Sequence, residues 1–220
     1  MTKDESRRKP SSGSRDDERV SMKALAWAYD LAVEGSGRLH SAEQLAAPFT
    51  ARTGTRIQHS NALIRWQIAK ASASGFFSGL EGLVTAPIAV PANIASVLFV
   101  QLRMVAAIAH IGGHDVRDEQ VRSFAYLCLC GSVAVDVAKD LGMKVGLRMT
   151  QAAVGRMSGA ALVRFNQKVG FNLASRIGGK GAINLGLAFP LAGGVINGFF
   201  DGVTTNVVGN VARKHFVEPG

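Results

Sequence analysis

The sequence predicts an all-α protein with a single helical domain. Apolar residues recur at helical spacing in several segments, and no long run alternates apolar and polar residues as a half-buried strand does. Two long apolar stretches, residues 75–111 and 181–200, are each interrupted by Pro or paired Gly. Because these residues break helices, we expect two broken apolar helical hairpins with the other helices packed around them, and no significant sheet.

The composition indicates a chain with one hydrophobic core and a tendency towards membranes. Its 220 residues suffice for a domain that needs no disulfide or metal to stabilise it. Hydrophobic residues make up 47% and charged residues 19%, below the roughly 25% charge of soluble domains. Cys128 and Cys130 stand too close for an ordinary disulfide and are too few for a zinc site. A disulfide scaffold is therefore excluded.

Residues 1–20 form a mixed-charge segment that contains Ser, Pro and Gly and has no apolar core. Such a segment is neither a signal peptide nor a membrane anchor, and we expect it to be disordered. The predicted organisation is a tail over residues 1–20 and a helical domain over residues 21–220. We expect a cytoplasmic location, peripheral to or partly inserted in the inner face of the membrane.

The first three helices follow from local start and stop signals. A helical pattern begins at Ser21 and is ended by Gly35, and Ser41 and Gln44 have the spacing of a capping box that starts a second helix. A third helix is predicted over residues 55–70. Its apolar residues lie on two sides, with Ile57, Ile64 and Ile68 on one and Leu63 and Trp66 on the other. We expect both sides to be covered.

The two apolar stretches leave their relation to the membrane open. Residues 83–100 contain no charge and are long enough for a spanning helix, but Pro87 and Pro91 interrupt them. A helix is expected to begin near Pro91 and to continue to about residue 111. Pro190 interrupts the second stretch. Broken apolar helices fit a buried hairpin, a re-entrant segment, a monotopic insertion or a transmembrane pair.

Three blocks of the sequence carry a resemblance to a known family. They are WQIAKASASGFFSG from residue 66, PANIASVLFVQLRMVAAIAHIGGHDVRDEQVRSF from residue 91, and AFPLAGGVINGFFDGVTTNVVGNVARKHF from residue 188. In this order they resemble the EcsC family, and the resemblance runs from about residue 22 to residue 216. The family is named for a protein encoded beside an ABC-transporter pair. Its biochemical role is poorly defined, and it implies no catalytic residues here.

The charge distribution predicts a basic amphipathic surface. Residues 141–200 contain no Asp or Glu, and their cations recur four or eight residues apart, so neighbouring cations share a helix face. The candidates for binding lipid headgroups are Lys144, Arg148, Arg156, Arg164, Lys168, Arg176 and Lys180. Such a helix favours anionic phospholipid, whereas a solvated bundle face normally mixes both signs. Nucleic acid is not favoured, because no binding motif or aromatic platform accompanies the charge.

A polar stripe in the apolar helix over residues 92–111 offers a buried polar or ion-pair site. Ser96, Arg103 and His110 are seven residues apart and fall on one side of the helix. An arginine in apolar surroundings needs a partner, which is either an anionic ligand such as a headgroup or an acid within the protein. The internal ion pair is the preferred interpretation.

A glycine row near the C-terminus predicts close helix packing. Gly194, Gly198 and Gly202 repeat every four residues, which lets another helix approach closely. Polar residues run beside this row at the same spacing, namely Asn197, Asp201 and Thr205. Asp201 is the only acid over residues 141–217, so we expect it to pair with Arg103.

No catalytic motif and no metal site is evident in the sequence. His110 and His114 are separated by two glycines that are expected to end the helix, and no third ligand is placed. We therefore expect no metal and no cofactor, and the sequence favours a non-enzymatic role.

The expected function is a membrane-associated or lipid-binding helical protein whose partner is anionic lipid. The Gly-rich apolar segments and the basic region over residues 144–180 would provide the contacts. The alternative is an accessory or scaffold protein on an integral membrane complex such as an ABC transporter, because glycine rows also serve helix contacts between proteins. A lipid-directed hydrolase using Asp201 or His110 is a third interpretation, and the oligomeric state stays open.

Overall fold

Seven helices make up the described part of the chain, which comprises residues 12–37, 39–72, 92–131, 134, 159–178 and 194–218 of a computed structural model. They are α1 (Ser12–Glu34), α2 (Ala42–Thr50), α3 (Arg56–Ser72), α4 (Ala92–Gly112), α5 (Glu119–Leu129), α6 (Gly159–Gly178) and α7 (Gly194–Phe216). These residues form no strand, and an isolated bridge joins Ser36 and Leu39. The all-α fold expected from the sequence is confirmed.

Helix α1 begins earlier than the sequence predicts. The predicted tail extends to residue 20, yet the helix starts at Ser12. Arg15 and Glu18 are good helix formers, and Asp16 and Arg19 carry opposite charges three residues apart, a spacing that stabilises a helix. Residues 12–20 of the predicted tail therefore belong to α1, and residues 1–11 lie outside the described residues.

Two capping boxes set the starts of α2 and α3. At α2 the Gln44 backbone N–H donates to Ser41 Oγ at 3.1 Å, and the Ser41 N–H donates to Gln44 Oε1 at 2.9 Å, as the sequence predicts. A reciprocal pair of the same kind joins Thr55 and Gln58, with distances of 2.8 and 3.3 Å. Gly35, whose φ is +74°, ends α1 as expected. These local bonds satisfy the free N–H groups at both helix starts.

Helix α4 is the centre of the bundle. It begins at Ala92, directly after Pro91, and it ends at Gly112, before Gly113 with its φ of +86°. Both boundaries confirm the sequence prediction. The helix packs against α1, α2, α3, α5 and α7. Its largest fully buried side chains are Phe99, Leu102, Met104 and Ile108. The apolar residues 98–109 are therefore covered by protein.

The breaks predicted at Pro87 and Pro190 lie outside the described residues, and so do residues 73–91 and 179–193 as a whole. The hairpin shape of the two apolar stretches therefore stays a prediction. Among the helices of the described ranges, none combines the length and the apolar character needed to cross a bilayer.

Helix α7 packs most extensively against α3. A Cβ built on Gly209 would lie 2.8 Å from Cγ1 of Ile64 in α3, closer than packed side chains allow. The missing side chain at Gly209 thus lets the two helices touch. Because α7 also packs against α4 and α5, it holds α3 in place beside the central helix.

Helices α5 and α6 lie beside α1. Asp118 caps the start of α5, because its side chain accepts a backbone N–H of the first turn at 2.8 Å. Phe124 of α5 meets Phe165 of α6 edge to face, with ring centroids 5.5 Å apart. Cys128 and Cys130 are both buried, and no disulfide joins them. Burial raises the pKa of the Cys128 thiol, which keeps it protonated and unreactive.

Candidate functional site

Helix α6 carries two of the predicted headgroup residues on its outer side. Arg164 is exposed and Lys168 is partly exposed one turn further along, while Phe165 and Val169 are buried. The helix contains no acidic residue, and its outer side also exposes Val163 to 57%. Helix α6 is therefore amphipathic, with charge of one sign outside and apolar residues inside.

The other predicted headgroup residues lie beyond the described side chains. Arg176 belongs to α6, but its side chain is not described. The residues outside the described ranges are Lys144, Arg148, Arg156 and Lys180. Their grouping with Arg164 and Lys168 on one surface stays a prediction.

Arg103 of α4 has partners from within the protein. Its Nη1 donates to the backbone carbonyl of His40 at 3.3 Å, and its guanidinium carbon lies 4.9 Å from the centroid of the Phe99 ring. Burial lowers the pKa of Arg103. A backbone carbonyl and an aromatic face therefore compensate part of its charge, neither of which the sequence predicts. The pairing with Asp201 stays a prediction, because the Asp201 side chain is not described.

No site that joins Arg103 to the other two members of the α4 stripe is found among the described side chains. His110 is exposed, and Ser96 lies in the part of α4 whose side chains are not described. Within the described ranges, no group of three or more His, Cys, Asp or Glu residues could hold a metal ion.

The polar residues and glycines predicted along α7 fall partly on its described half. Gly202 and Thr205 are buried. The side chains of the first two turns are not described, and these turns contain Gly194, Asn197, Gly198 and Asp201. A close helix contact is found at Gly209, seven residues after Gly202 and on the same side of the helix. Gly209 is not predicted from the sequence, because it departs from the four-residue repeat.

A surface not predicted from the sequence joins α2 and α3. We call it the α2–α3 basic patch, and its members are Phe49, Arg52, Arg65, Trp66 and Lys70. The rings of Phe49 and Trp66 meet edge to face with centroids 6.1 Å apart. Lys70 Nζ lies 4.5 Å from the Trp66 centroid, and the Arg52 guanidinium carbon lies 5.7 Å from the Phe49 centroid. Trp66 is 38% exposed whereas Phe49 is buried, so one aromatic ring and the cations stand together at the surface.

The sequence that contains the α2–α3 basic patch carries charge of one sign. Residues 44–80 contain no acid, and their cations are Arg52, Arg56, Arg65 and Lys70. The acid that precedes this range is Glu43, whose Oε1 lies 3.6 Å from Arg117 Nη1. This acid-free stretch is the signal by which the sequence could have revealed the patch. The expectation that both sides of α3 are covered holds at Leu63, which is buried, and is wrong at Trp66.

The C-terminal ends of α4 and α7 meet at a cluster of hydrogen-bond donors. Arg56 Nη1 donates to the Gly112 carbonyl at 2.8 Å, and His114 Nε2 lies 2.9 Å from the Phe216 carbonyl oxygen. Burial lowers the pKa of His114, so the neutral ring donates from Nε2–H. These hydrogen bonds satisfy the last carbonyl of each helix, so we assign the cluster a structural role in joining the two helix ends.

A second polar cluster joins α1 to α5. Arg122 forms an ion pair with Asp30, and its guanidinium carbon lies 5.3 Å from the Tyr29 ring centroid. The Tyr29 hydroxyl donates to the Val116 carbonyl at 2.9 Å, and its ring meets that of Tyr126 edge to face. Burial raises the pKa of both tyrosines. Neither phenol is therefore suited to act as a base at neutral pH.

Comparison of the chain with protein-family models, curated proteins and solved structures finds no match. Membership of the EcsC family, which the three sequence blocks suggest, stays a prediction.

Proposed function

We propose that this chain is a non-enzymatic, membrane-associated protein that binds anionic phospholipid through basic helix surfaces. The observation that carries the proposal is α6, a helix with no acid, with Arg164 exposed outside and Phe165 and Val169 buried inside. An amphipathic helix with a polar face of one positive sign is attracted to the negative surface of a bilayer. The location that follows is the inner face of the membrane, where anionic lipids are concentrated.

The described bundle favours surface attachment over insertion of its own helices. The most apolar helix, α4, is surrounded by five other helices, so its apolar side chains are used within the protein. The described helices therefore contribute charge at the membrane. The Gly-rich apolar segments 73–91 and 179–193 are the parts of the chain that an inserted form would use.

The alternative of a scaffold on an integral membrane complex receives less support from the geometry. Gly209, which continues the side of α7 that carries Gly202, contacts Ile64 within the same chain. Gly209 therefore serves packing within the chain and not contact with a partner's helix.

Co-sedimentation with vesicles tests the proposal. The purified chain is mixed with vesicles of phosphatidylcholine alone or with added phosphatidylglycerol, at low and high salt, and pellets are washed with carbonate. We expect binding that requires phosphatidylglycerol, weakens with salt and is released by carbonate. Binding that resists salt and carbonate would instead assign the contact to the apolar segments. Binding to neither vesicle contradicts the proposal and favours a protein partner.

A pair of variants with equal changes in net charge identifies the surface. Arg164→Gln with Lys168→Gln removes two cations from α6, and Lys23→Gln with Lys214→Gln removes two exposed cations elsewhere. Each cation at an anionic surface contributes about 1 kcal/mol, so we expect the α6 variant to bind about 30-fold more weakly. Equal weakening by the control variant would show that only net charge matters.

A further inference from the structure

We propose that the α2–α3 basic patch is a membrane-interface contact of its own, with Trp66 at the boundary between headgroups and acyl chains and Lys70 at the lipid phosphates. The inference rests on the proposed function, because it names a second contact with the same anionic bilayer. Helix α3 packs against α2, α4 and α7, whereas α6 packs against α1 and α5, so the two surfaces belong to different sides of the helix arrangement.

The exposure of Trp66 is the first observation. The large aromatic side chains Tyr29, Phe99 and Tyr126 are buried in the core, whereas Trp66 on α3 is 38% exposed. Tryptophan joins a large apolar ring to an N–H donor, and it is enriched where one end of a side chain meets apolar material and the other meets water.

The cations held at the ring are the second observation. Lys70 Nζ lies 4.5 Å from the Trp66 centroid, and Arg65 is exposed beside Trp66. Lys and Arg next to an interfacial aromatic ring reach lipid phosphates while their methylene groups stay among apolar groups. Because residues 44–80 contain no acid, no carboxylate within this range opposes an anionic surface.

The place of the patch in the chain is the third observation. Helix α3 ends at Ser72, and the sequence that follows, residues 73–91, is apolar with no Lys or Arg and with Glu81 as its single charge. Aromatic and basic residues beside an apolar segment are typical of the membrane–water boundary. The sequence order therefore supports a bilayer as the occupant of the patch.

The geometry of the Trp66 ring favours a bilayer over single-stranded nucleic acid. Stacking of a base requires a free ring face, and Lys70 lies over one face of Trp66, where it would have to be displaced. Insertion among headgroups requires no free face, because the cation and the ring enter the interface together.

Tryptophan fluorescence tests the contact directly, because the chain contains two tryptophans. In Trp27→Phe the emission comes from Trp66 alone, and in Trp66→Phe it comes from Trp27, which is packed against the core. Both proteins are titrated with phosphatidylglycerol vesicles that contain lipids brominated in the acyl chain. We expect a blue shift and quenching for the protein with Trp66 and no change for the matched protein with Trp27. Should Trp27→Phe fail to fold, the difference between wild type and Trp66→Phe supplies the same signal.

Affinity measurements separate this inference from the proposed function. We expect Trp66→Ala to weaken vesicle binding about tenfold and Lys70→Gln about fivefold, with Lys23→Gln as the control for charge.

Vesicle binding without any change in Trp66 emission overturns the patch contact and leaves binding through α6 intact. If Trp66→Ala weakens vesicle binding and the double variant Arg164→Gln with Lys168→Gln does not, the patch contact is supported and the role of α6 is contradicted. Absence of vesicle binding overturns both. Quenching of Trp66 by a single-stranded oligonucleotide, with none by vesicles, assigns the patch to nucleic acid and overturns the inference.

Discussion

Replacing Gly209 by alanine tests the contact that positions α3, the helix that bears Trp66. The new Cβ would lie 2.8 Å from Cγ1, 3.2 Å from Cγ2 and 3.3 Å from Cδ1 of Ile64. Ile64 is buried and β-branched, so its side chain has one favoured rotamer in a helix and cannot turn away easily. The collision must therefore be relieved by separation of α3 and α7.

The size of the effect follows from two opposing contributions. Overpacking a buried contact costs about 1–3 kcal/mol. Alanine in place of glycine in a helix stabilises it by roughly 1 kcal/mol, because the unfolded backbone loses freedom. The difference is a net loss of about 0–2 kcal/mol. Because the neighbour at Gly209 is rigid, we expect Gly209→Ala to lower the free energy of unfolding by an amount in the upper half of this range, about 1–2 kcal/mol. Urea denaturation followed by circular dichroism at the helix band measures this change.

In the background of Ile64→Ala, we expect Gly209→Ala to stabilise the protein instead of destabilising it. Ile64→Ala alone costs about 2–5 kcal/mol, because it leaves a cavity. In that background Gly209→Ala has room for its methyl group, and we expect it to raise the free energy of unfolding by about 1 kcal/mol. Gly159, whose added Cβ would meet nothing within 4 Å, provides the control, and Gly159→Ala is expected to be neutral or stabilising. A stabilising Gly209→Ala in the wild-type background, or additive effects of the two substitutions, would refute the reasoning.

Two further predictions concern charge within the fold. Burial lowers the pKa of His114 and of His215 in the folded chain, so below the ordinary value of 6.5 the unfolded chain binds more protons and stability falls as the pH falls. Thermal melts at a series of pH values are expected to show this loss, and the dependence of the melting temperature on pH is expected to be shallower in His114→Gln than in the wild type. Arg122→Met should lower the free energy of unfolding by about 1–2 kcal/mol, a modest value because the side chain of Asp30 is 50% exposed and solvent screens the pair. A urea midpoint unchanged from wild type would exclude a stabilising role for that pair.

Local signals in the sequence predict the helix boundaries well. The capping box at Ser41, the proline before α4 and the glycines after it act through neighbouring backbone groups, so a few residues are enough to define them. The start of α1 is the exception. Mixed charge indicates disorder when counted as composition, whereas the same charges at helical spacing stabilise a helix.

Partners that are distant in the chain are harder to predict. Periodicity places Leu63 and Trp66 on one side of α3, but only the packed neighbours decide that the first is buried and the second exposed. The polar stripe of α4 predicts an acid as the partner of Arg103, and that pairing stays a prediction. The partner that the structure describes is the carbonyl of His40, a group that no side-chain pattern reveals. Gly209 likewise gains its meaning only from Ile64 on another helix.

The central position of α4 has a consequence for synthesis of the protein. Helix α4 ends at Gly112 and α7 ends at Phe216, so roughly a hundred residues are added after α4 before its covering is complete. At a translation rate of about 5–20 residues per second, the nascent chain spends about 5–20 s with this helix incompletely sheltered. During that interval the ribosome-bound chain displays the kind of apolar surface that chaperones recognise, and correct folding depends on α7, the last of the described helices to be synthesised.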